Sequence, residues 1–246
     1  MNNTFYTENI TKDSLARMID HTLLRSDAKT DEIKQLCKEA ATFHFASVCV
    51  NPYFVPLAKK FLEELNASVK ICTVIGFPLG ATSSIAKAAE AFDSVKNGAD
   101  EIDMVINICA ALENRFDYVE RDIGSVKKMI EIAAGEVNRN VILKVILETC
   151  FLNDRTIEAC CHSAVIAGAD FVKTSTGFAT PKDSNGKPLF NGAQARHVSL
   201  MRAAVGDKIG VKASGGIRTT EDALTMIRSG ASRIGTSSGV KIISEL

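Results

Sequence analysis

Residues 168–178 read GADFVKTSTGF, and the punctuation of this stretch decides the fold. Gly168, Ala169 and Asp170 end a helix-patterned segment, and a strand begins at once with Phe171 and Val172. The same step from helix to strand recurs at Gly98-Ala99-Asp100 and, with serine for aspartate, at Gly230-Ala231-Ser232. A turn repeated in this way predicts equivalent units arranged around one sheet.

Working outward from residue 168, strand-like and helix-like segments alternate along the chain. A short first helix is expected over residues 11–18, and eight strand–helix units follow. Thr30 and either Asn153 or Asp154 read as N-caps, Pro52 as a first-turn proline and Gly98 as a helix-ending glycine. Segments such as ASVCV, VKICTVIGFP and VILKVILET are near-continuous apolar runs, the pattern of a parallel sheet covered on both faces. A chain of 246 residues has the size of one (β/α)8 TIM barrel. The expected fold is therefore α/β, a single barrel domain over residues 1–246 with an extra N-terminal helix. An open doubly wound sheet is the alternative. It would call for a glycine-rich phosphate turn after the first strand, and IDHTLLRS has none. The stretch FATPKDSNGKPLFNGA, residues 178–193, is too polar for a core and reads as a long loop over one end.

Lys and Arg together number 29, as do Asp and Glu, so no basic field points to nucleic acid or an anionic membrane. No apolar run approaches the roughly 20 residues of a membrane span, and the start MNNTFYTENITKDSLARM has no signal-peptide core. A soluble cytoplasmic protein is expected. The seven cysteines form no C-x-x-C, and the four histidines are far apart, so neither a disulfide framework nor a metal centre is expected.

Barrel sites lie at the C-terminal ends of the strands. Polar residues in the strands therefore need reading together: Asp20 and Thr22; Cys49 and Asn51; Asp103 and Asn107; Lys144 and Glu148; Lys173; Lys212; and Thr236, Ser237 and Ser238. Lys173 and Lys212 fall on neighbouring strands, about 4.8 Å apart. Two amines so close disfavour each other's charging, and a lysine made neutral in this way attacks carbonyl carbon. Alternatively, both lysines pair with Asp103 and Glu148 and only hold the barrel together. Ser214, Gly215 and Gly216 follow Lys212, while Gly235, Thr236, Ser237, Ser238 and Gly239 close the last strand. Such loops let the backbone approach a phosphate, or are simply tight turns.

The segments DFVKTSTGF, GVKASGGIRT, EIDMVIN, CTVIGFPLGAT and RIGTSSG, in this order of interest, resemble the deoxyribose-phosphate aldolases, class I aldolases built as β/α barrels. The likeness runs from IDHTLL to the last strand. It implies reversible cleavage of 2-deoxy-D-ribose 5-phosphate to D-glyceraldehyde 3-phosphate and acetaldehyde, with no metal and no organic cofactor. It implies that Lys173 is the Schiff-base nucleophile, Lys212 the lysine that perturbs it, and Asp103 a proton-relay carboxylate. It places phosphate at Gly215, Gly216, Gly235, Ser237 and Ser238. Asp20, Thr22 and Cys49 are expected to face substrate, and Lys144 to support Asp103 from the barrel interior. A homodimer is the implied assembly. The loop at 178–193 looks longer than the family's usual connection. A pyridoxal-phosphate enzyme and a non-catalytic sugar-phosphate binder would also use a lysine beside a phosphate cup, and both remain open at this point.

Overall fold

A computed structural model describes residues 10–246. Eight parallel strands close into a barrel in the order of the sequence. They are β1 (Ile19–Leu23), β2 (Ser47–Val50), β3 (Lys70–Ile75), β4 (Glu101–Val105), β5 (Ile142–Ile146), β6 (Phe171–Lys173), β7 (Gly210–Ser214) and β8 (Arg233–Thr236). β8 pairs with β1 and leaves no free edge. The closed barrel, rather than an open sheet, is the outcome.

The repeated Gly-Ala-Asp turn has a common physical cause. Its glycines, Gly98, Gly168 and Gly230, all lie at positive φ, where a side chain would be strained. The third residue then clamps the start of the preceding strand. Asp100 accepts from the Ile71 N–H at 3.0 Å, Asp170 from Leu143 N–H at 2.8 Å, and the Ser232 hydroxyl from Val211 N–H at 3.4 Å. The three turns thus stitch β4 to β3, β6 to β5 and β8 to β7.

The helices are α1 (Lys12–Ala16), α2 (Thr30–Phe43), α3 (Val55–Glu64), α4 (Ser84–Asn97), α5 (Ile108–Leu112), α6 (Phe116–Glu136), α7 (Asp154–Ile166), α8 (Ala195–Val205), α9 (Thr220–Arg228) and α10 (Gly239–Ser244). α1 is the extra N-terminal helix, capped by the Thr11 hydroxyl. It falls inside the range of residues 11–18 expected for it, all of which are described. Asn153 caps α7, accepting from Thr156 N–H at 3.0 Å. Thr30 is not a cap: it is the first residue of α2, and Lys29 holds the cap position, with its N–H donating to Glu32.

Alternation along the strands sorts two environments. Val48, Val50, Ile102, Met104, Val145, Val172, Val211 and Ala213 join one large apolar cluster with the helices. The intervening positions point into the barrel. There the apolar cluster is small, built from Leu24, Cys49, Cys72 and Val74, and charged groups fill the remaining space. Residues 178–193 form a hairpin-like arm after β6, with one antiparallel bridge between Lys182 and Pro188.

Candidate active site

The inward side chains of β1, β4, β5, β6, β7 and β8 make one buried ionic network. Asp103 is its centre. Its Oδ2 accepts from Lys173 Nζ and Lys212 Nζ, both at 2.7 Å, while its Oδ1 accepts from Lys144 Nζ at 3.0 Å and from the Cys72 thiol at 3.2 Å. Lys212 also lies 2.5 Å from Asp20 Oδ2, and Asp20 Oδ1 pairs with Arg233 at 2.6 Å. Arg233 and Lys144 both pair with Glu101. Asp20, Asp103, Lys144 and Lys212 have no exposed surface, so each charge depends on these partners.

Four cations, Lys144, Lys173, Lys212 and Arg233, face three carboxylates, Asp20, Glu101 and Asp103. Burial by itself would push Asp103 up, but Lys144, Lys173 and Lys212 outweigh it and hold the carboxyl well below its ordinary range. Burial would likewise lower Lys212, but Asp103 and Asp20 hold its ammonium above the ordinary lysine value. Mutual depression of the two amines was expected from their spacing. For Lys212 the opposite holds, because two carboxylates lie closer to it than the geometry of adjacent strands alone discloses. Release of one proton from the network would leave three cations against three anions.

Above this network, at the C-terminal end of the barrel, opens a cavity of about 340 Å³. Lys173 lies in its floor; Thr22, Gly215, Gly216, Gly235 and Ser237 are in its walls, together with Thr176, Phe178, Ser214 and Arg218. Two clefts of about 390 and 520 Å³ lie near the opposite strand ends and open away from the lysines. Phe178 meets Phe77 edge-on, with ring centroids 5.2 Å apart.

Several expectations need correction. Asp20 and Cys49 were expected to face substrate, but they are fully buried and line no part of the cavity; Lys144 is equally buried and meets Asp103 from the interior, at 3.0 Å, as expected of it. The inward direction of Asp20 and Cys49 was right; their depth was not, because they sit too far from the C-terminal rim. Ser238 is also absent from the cavity wall and sits at the cap of α10, where its N–H donates to Thr236 Oγ1 at 2.9 Å. Close packing alone accounts for glycine at 235: a Cβ there would lie 3.0 Å from Lys212 Cε. Asn107 caps α5, and Asn51 donates to the Leu24 carbonyl.

Glu148 does not pair with the lysines as the purely structural alternative required. It lies at φ 57, ψ 60, a left-handed conformation for a non-glycine residue. From there its carboxylate accepts from the Thr176 N–H and hydroxyl, tying the end of β5 to the loop after β6. Burial pushes the Glu148 carboxyl up.

Glu101, Arg233, Cys72, Thr176 and Arg218 were not singled out from sequence. The period of two was the available signal for the first pair: Glu101 precedes Asp103 by two positions, and Arg233 precedes Gly235 by two. Cys49, Cys72 and Asp103 bring their ligand atoms within 4.8 Å of one another, a grouping hidden by sequence separations of 23 and 31. The ammonium groups of Lys144, Lys173 and Lys212 around Asp103 oppose a cation there.

A lysine thus lines a cavity at the barrel end, and a buried aspartate lies between it and a second lysine. Residues 15–245 match the model of the DeoC/LacD family aldolases. The chain belongs to the DeoC/LacD aldolase family. Among its relatives, the deoxyribose-phosphate aldolase of Caldicellulosiruptor saccharolyticus is 53% identical over 96% of this chain and 100% of its own. That of Carboxydothermus hydrogenoformans is 51% identical over 96% of this chain and 97% of its own. Among solved structures, the tetrameric deoxyribose phosphate aldolase of Aeropyrum pernix superposes with a TM-score of 0.82 at 33% identity, covering 95% of this chain and 91% of that one. An aldolase designated QR15 superposes with a TM-score of 0.81 at 37% identity, covering 94% and 95%. As a DeoC/LacD family aldolase the protein is an enzyme that makes and breaks carbon–carbon bonds in small molecules. No helix among the described residues is long and apolar enough to cross a membrane.

Proposed function

We propose that this aldolase reversibly cleaves 2-deoxy-D-ribose 5-phosphate to D-glyceraldehyde 3-phosphate and acetaldehyde, in deoxyribonucleoside catabolism, through a Schiff base on Lys173. The observation that carries the reading is the Lys173 amine in the cavity floor, 2.7 Å from Asp103 Oδ2.

Lys173 Nζ, once neutral, attacks C1 of the open-chain sugar and forms a carbinolamine. Loss of water gives an iminium, which withdraws electrons from the C2–C3 bond. The C3 hydroxyl gives up its proton, the C2–C3 bond breaks, and C3 becomes the aldehyde carbon of glyceraldehyde 3-phosphate. Its bonding pair stays on C2 as an enamine. Protonation of C2 and hydrolysis of the imine then free acetaldehyde and the amine. The iminium is itself the electron sink, so the chemistry requires neither a metal nor an organic cofactor. Asp103 Oδ2 lies within hydrogen-bond reach of both amines and gives protons a route between Lys173 and Lys212. The phosphate binds where Gly215, Gly216 and Ser237 line the cavity, and this remote grip orients C1 toward the amine.

Borohydride reduction in the presence of acetaldehyde tests the reading. A two-carbon adduct on Lys173, located by peptide mass spectrometry, is expected. An adduct confined to Lys212 or Lys144 would reverse the assignment, and a protein that is left unmodified while binding the sugar phosphate would be a binder rather than an aldolase. Action in the cytoplasm and assembly as a homodimer belong to the same proposal. Light scattering separates that dimer from the tetramer described for the Aeropyrum pernix protein.

A further inference from the structure

The arm at residues 178–193 is anchored against the Gly215–Gly216 turn at both of its ends. A Cβ built on Gly215 would lie 3.6 Å from the Gly177 α-carbon, just before the arm, and 3.0 Å from the Gly192 α-carbon near its end. The Ala193 N–H donates to the Gly215 carbonyl at 3.0 Å. The Phe190 ring lies over Gly216, with its Cζ 3.1 Å from where a Cβ would stand.

In a trans peptide the carbonyl of one residue and the N–H of the next point in opposite directions. The bond from Ala193 turns the Gly215 carbonyl toward the arm, so the Gly216 N–H is directed away from it. Gly216 lines the cavity, and its N–H donates to no protein group among the described residues. We propose that Gly192 and Ala193 are positioning residues that fix the Gly215–Gly216 peptide with its N–H presented to the substrate's phosphate, so that the arm sets the preference for phosphorylated over unphosphorylated sugar. This rests on the aldolase reading and adds a source for its anion specificity.

Gly192 is the position where the inference can be broken cleanly. Its φ does not lie in the left-handed region, so an added methyl brings no backbone strain of its own. A Cβ there would stand 2.3 Å from the Gly215 carbonyl oxygen and 2.7 Å from its carbon. Both are backbone atoms and cannot rotate aside as a side-chain tip does. Gly192→Ala must therefore tilt the peptide or part the arm from the turn. Lys173 and Asp103 make none of these contacts and keep their own partners.

The experiment compares 2-deoxyribose 5-phosphate with 2-deoxyribose in the full-length enzyme and Gly192→Ala. A hydrogen bond to a charged group is at stake, so KM for the phosphorylated sugar should rise by about tenfold or more, with kcat within about twofold. The kcat/KM for unphosphorylated sugar and the rate of acetaldehyde trapping on Lys173 should not change. Inorganic phosphate, titrated calorimetrically, should bind more weakly by the same factor. An unchanged ratio of the two kcat/KM values, including an equal loss on both sugars, would overturn the inference. Absence of turnover in the unsubstituted protein would instead sink the aldolase reading, and the phosphate titration would still decide whether Gly192 governs the anion site. Should Gly192→Ala fail to fold, Phe190→Ala removes a side chain that is 57% exposed and should move the same ratio in the same direction by a smaller factor.

Discussion

The Lys173 and Lys212 amines converge on a single oxygen, each 2.7 Å from Asp103 Oδ2. They are register partners on β6 and β7, so their side chains leave the sheet side by side. They differ in what else surrounds them. Lys212 has a second carboxylate, Asp20, and no exposed surface, whereas Lys173 reaches the cavity. Lys212 is thereby held as a cation, and Lys173 is the one of the two that lines the cavity. That asymmetry, rather than mere proximity, is what distinguishes the two amines.

Asp103→Asn removes the anion on which three ammonium groups depend. A fall of about 10²–10⁴ in kcat is expected from loss of proton transfer at this position. Denaturant unfolding should show a loss of about 3–5 kcal/mol, because buried cations are left without their counter-charge. Near-normal kcat with only the stability loss would confine Asp103 to a structural part.

Lys212→Leu takes away one of the three cations on Asp103 and leaves it to pair with Lys173 and Lys144. The proton route through Asp103 then loses one of its two amines, and kcat should fall by about 10²–10⁴ while acetaldehyde and borohydride still place an adduct on Lys173. An unchanged kcat would confine Lys212 to a structural part.

Ser237 lines the cavity and Ser238 does not, so a carboxylate at the two positions should act unequally on an anionic substrate. Ser237→Asp should raise KM for the sugar phosphate about tenfold or more, and Ser238→Asp should change it by less than about threefold. The reverse order, measured by steady-state kinetics, would shift the anion toward the start of α10.

Burial alone would raise the Asp20 carboxyl, but Lys144, Lys212 and Arg233 hold it below its ordinary value of 3.8. A depressed carboxylate contributes stability that is complete above its unfolded value and is lost as pH falls through and below it. Asp20→Asn should be less stable than the unsubstituted enzyme at neutral pH by about 3–5 kcal/mol. That gap should narrow as the pH drops below 3.8, followed by urea unfolding at each pH. A gap that stays constant into acid would mean that packing, not charge, is what Asp20 supplies.

The architecture and the two lysines at its centre are legible along the chain. Gly-Ala-Asp at residues 98–100 and 168–170 announces a turn because only glycine takes the required positive φ cheaply and only a short polar side chain reaches back to the preceding strand. Lys173 and Lys212 stood out because an amine in an apolar strand needs a reason. Both kinds of signal are local. They depend on a residue and its immediate neighbours along the chain.

Depth and partnership emerge only once the chain has folded. Period-two alternation says that Asp20, Cys49 and Lys144 point inward, but not how far below the rim each lies, since that is set by strand tilt and stagger around a closed barrel. Partners are non-local as well. Lys212 meets Asp103 across 109 residues, and Arg233 meets Asp20 across 213. Electrostatic energy depends on distances between groups and on burial, so the direction of the Lys212 shift emerged only when two carboxylates were brought against it. The contact of Gly192 with Gly215 is of the same kind: a glycine in a polar loop carries no mark of the carbonyl it must fit until the arm has folded back over the turn.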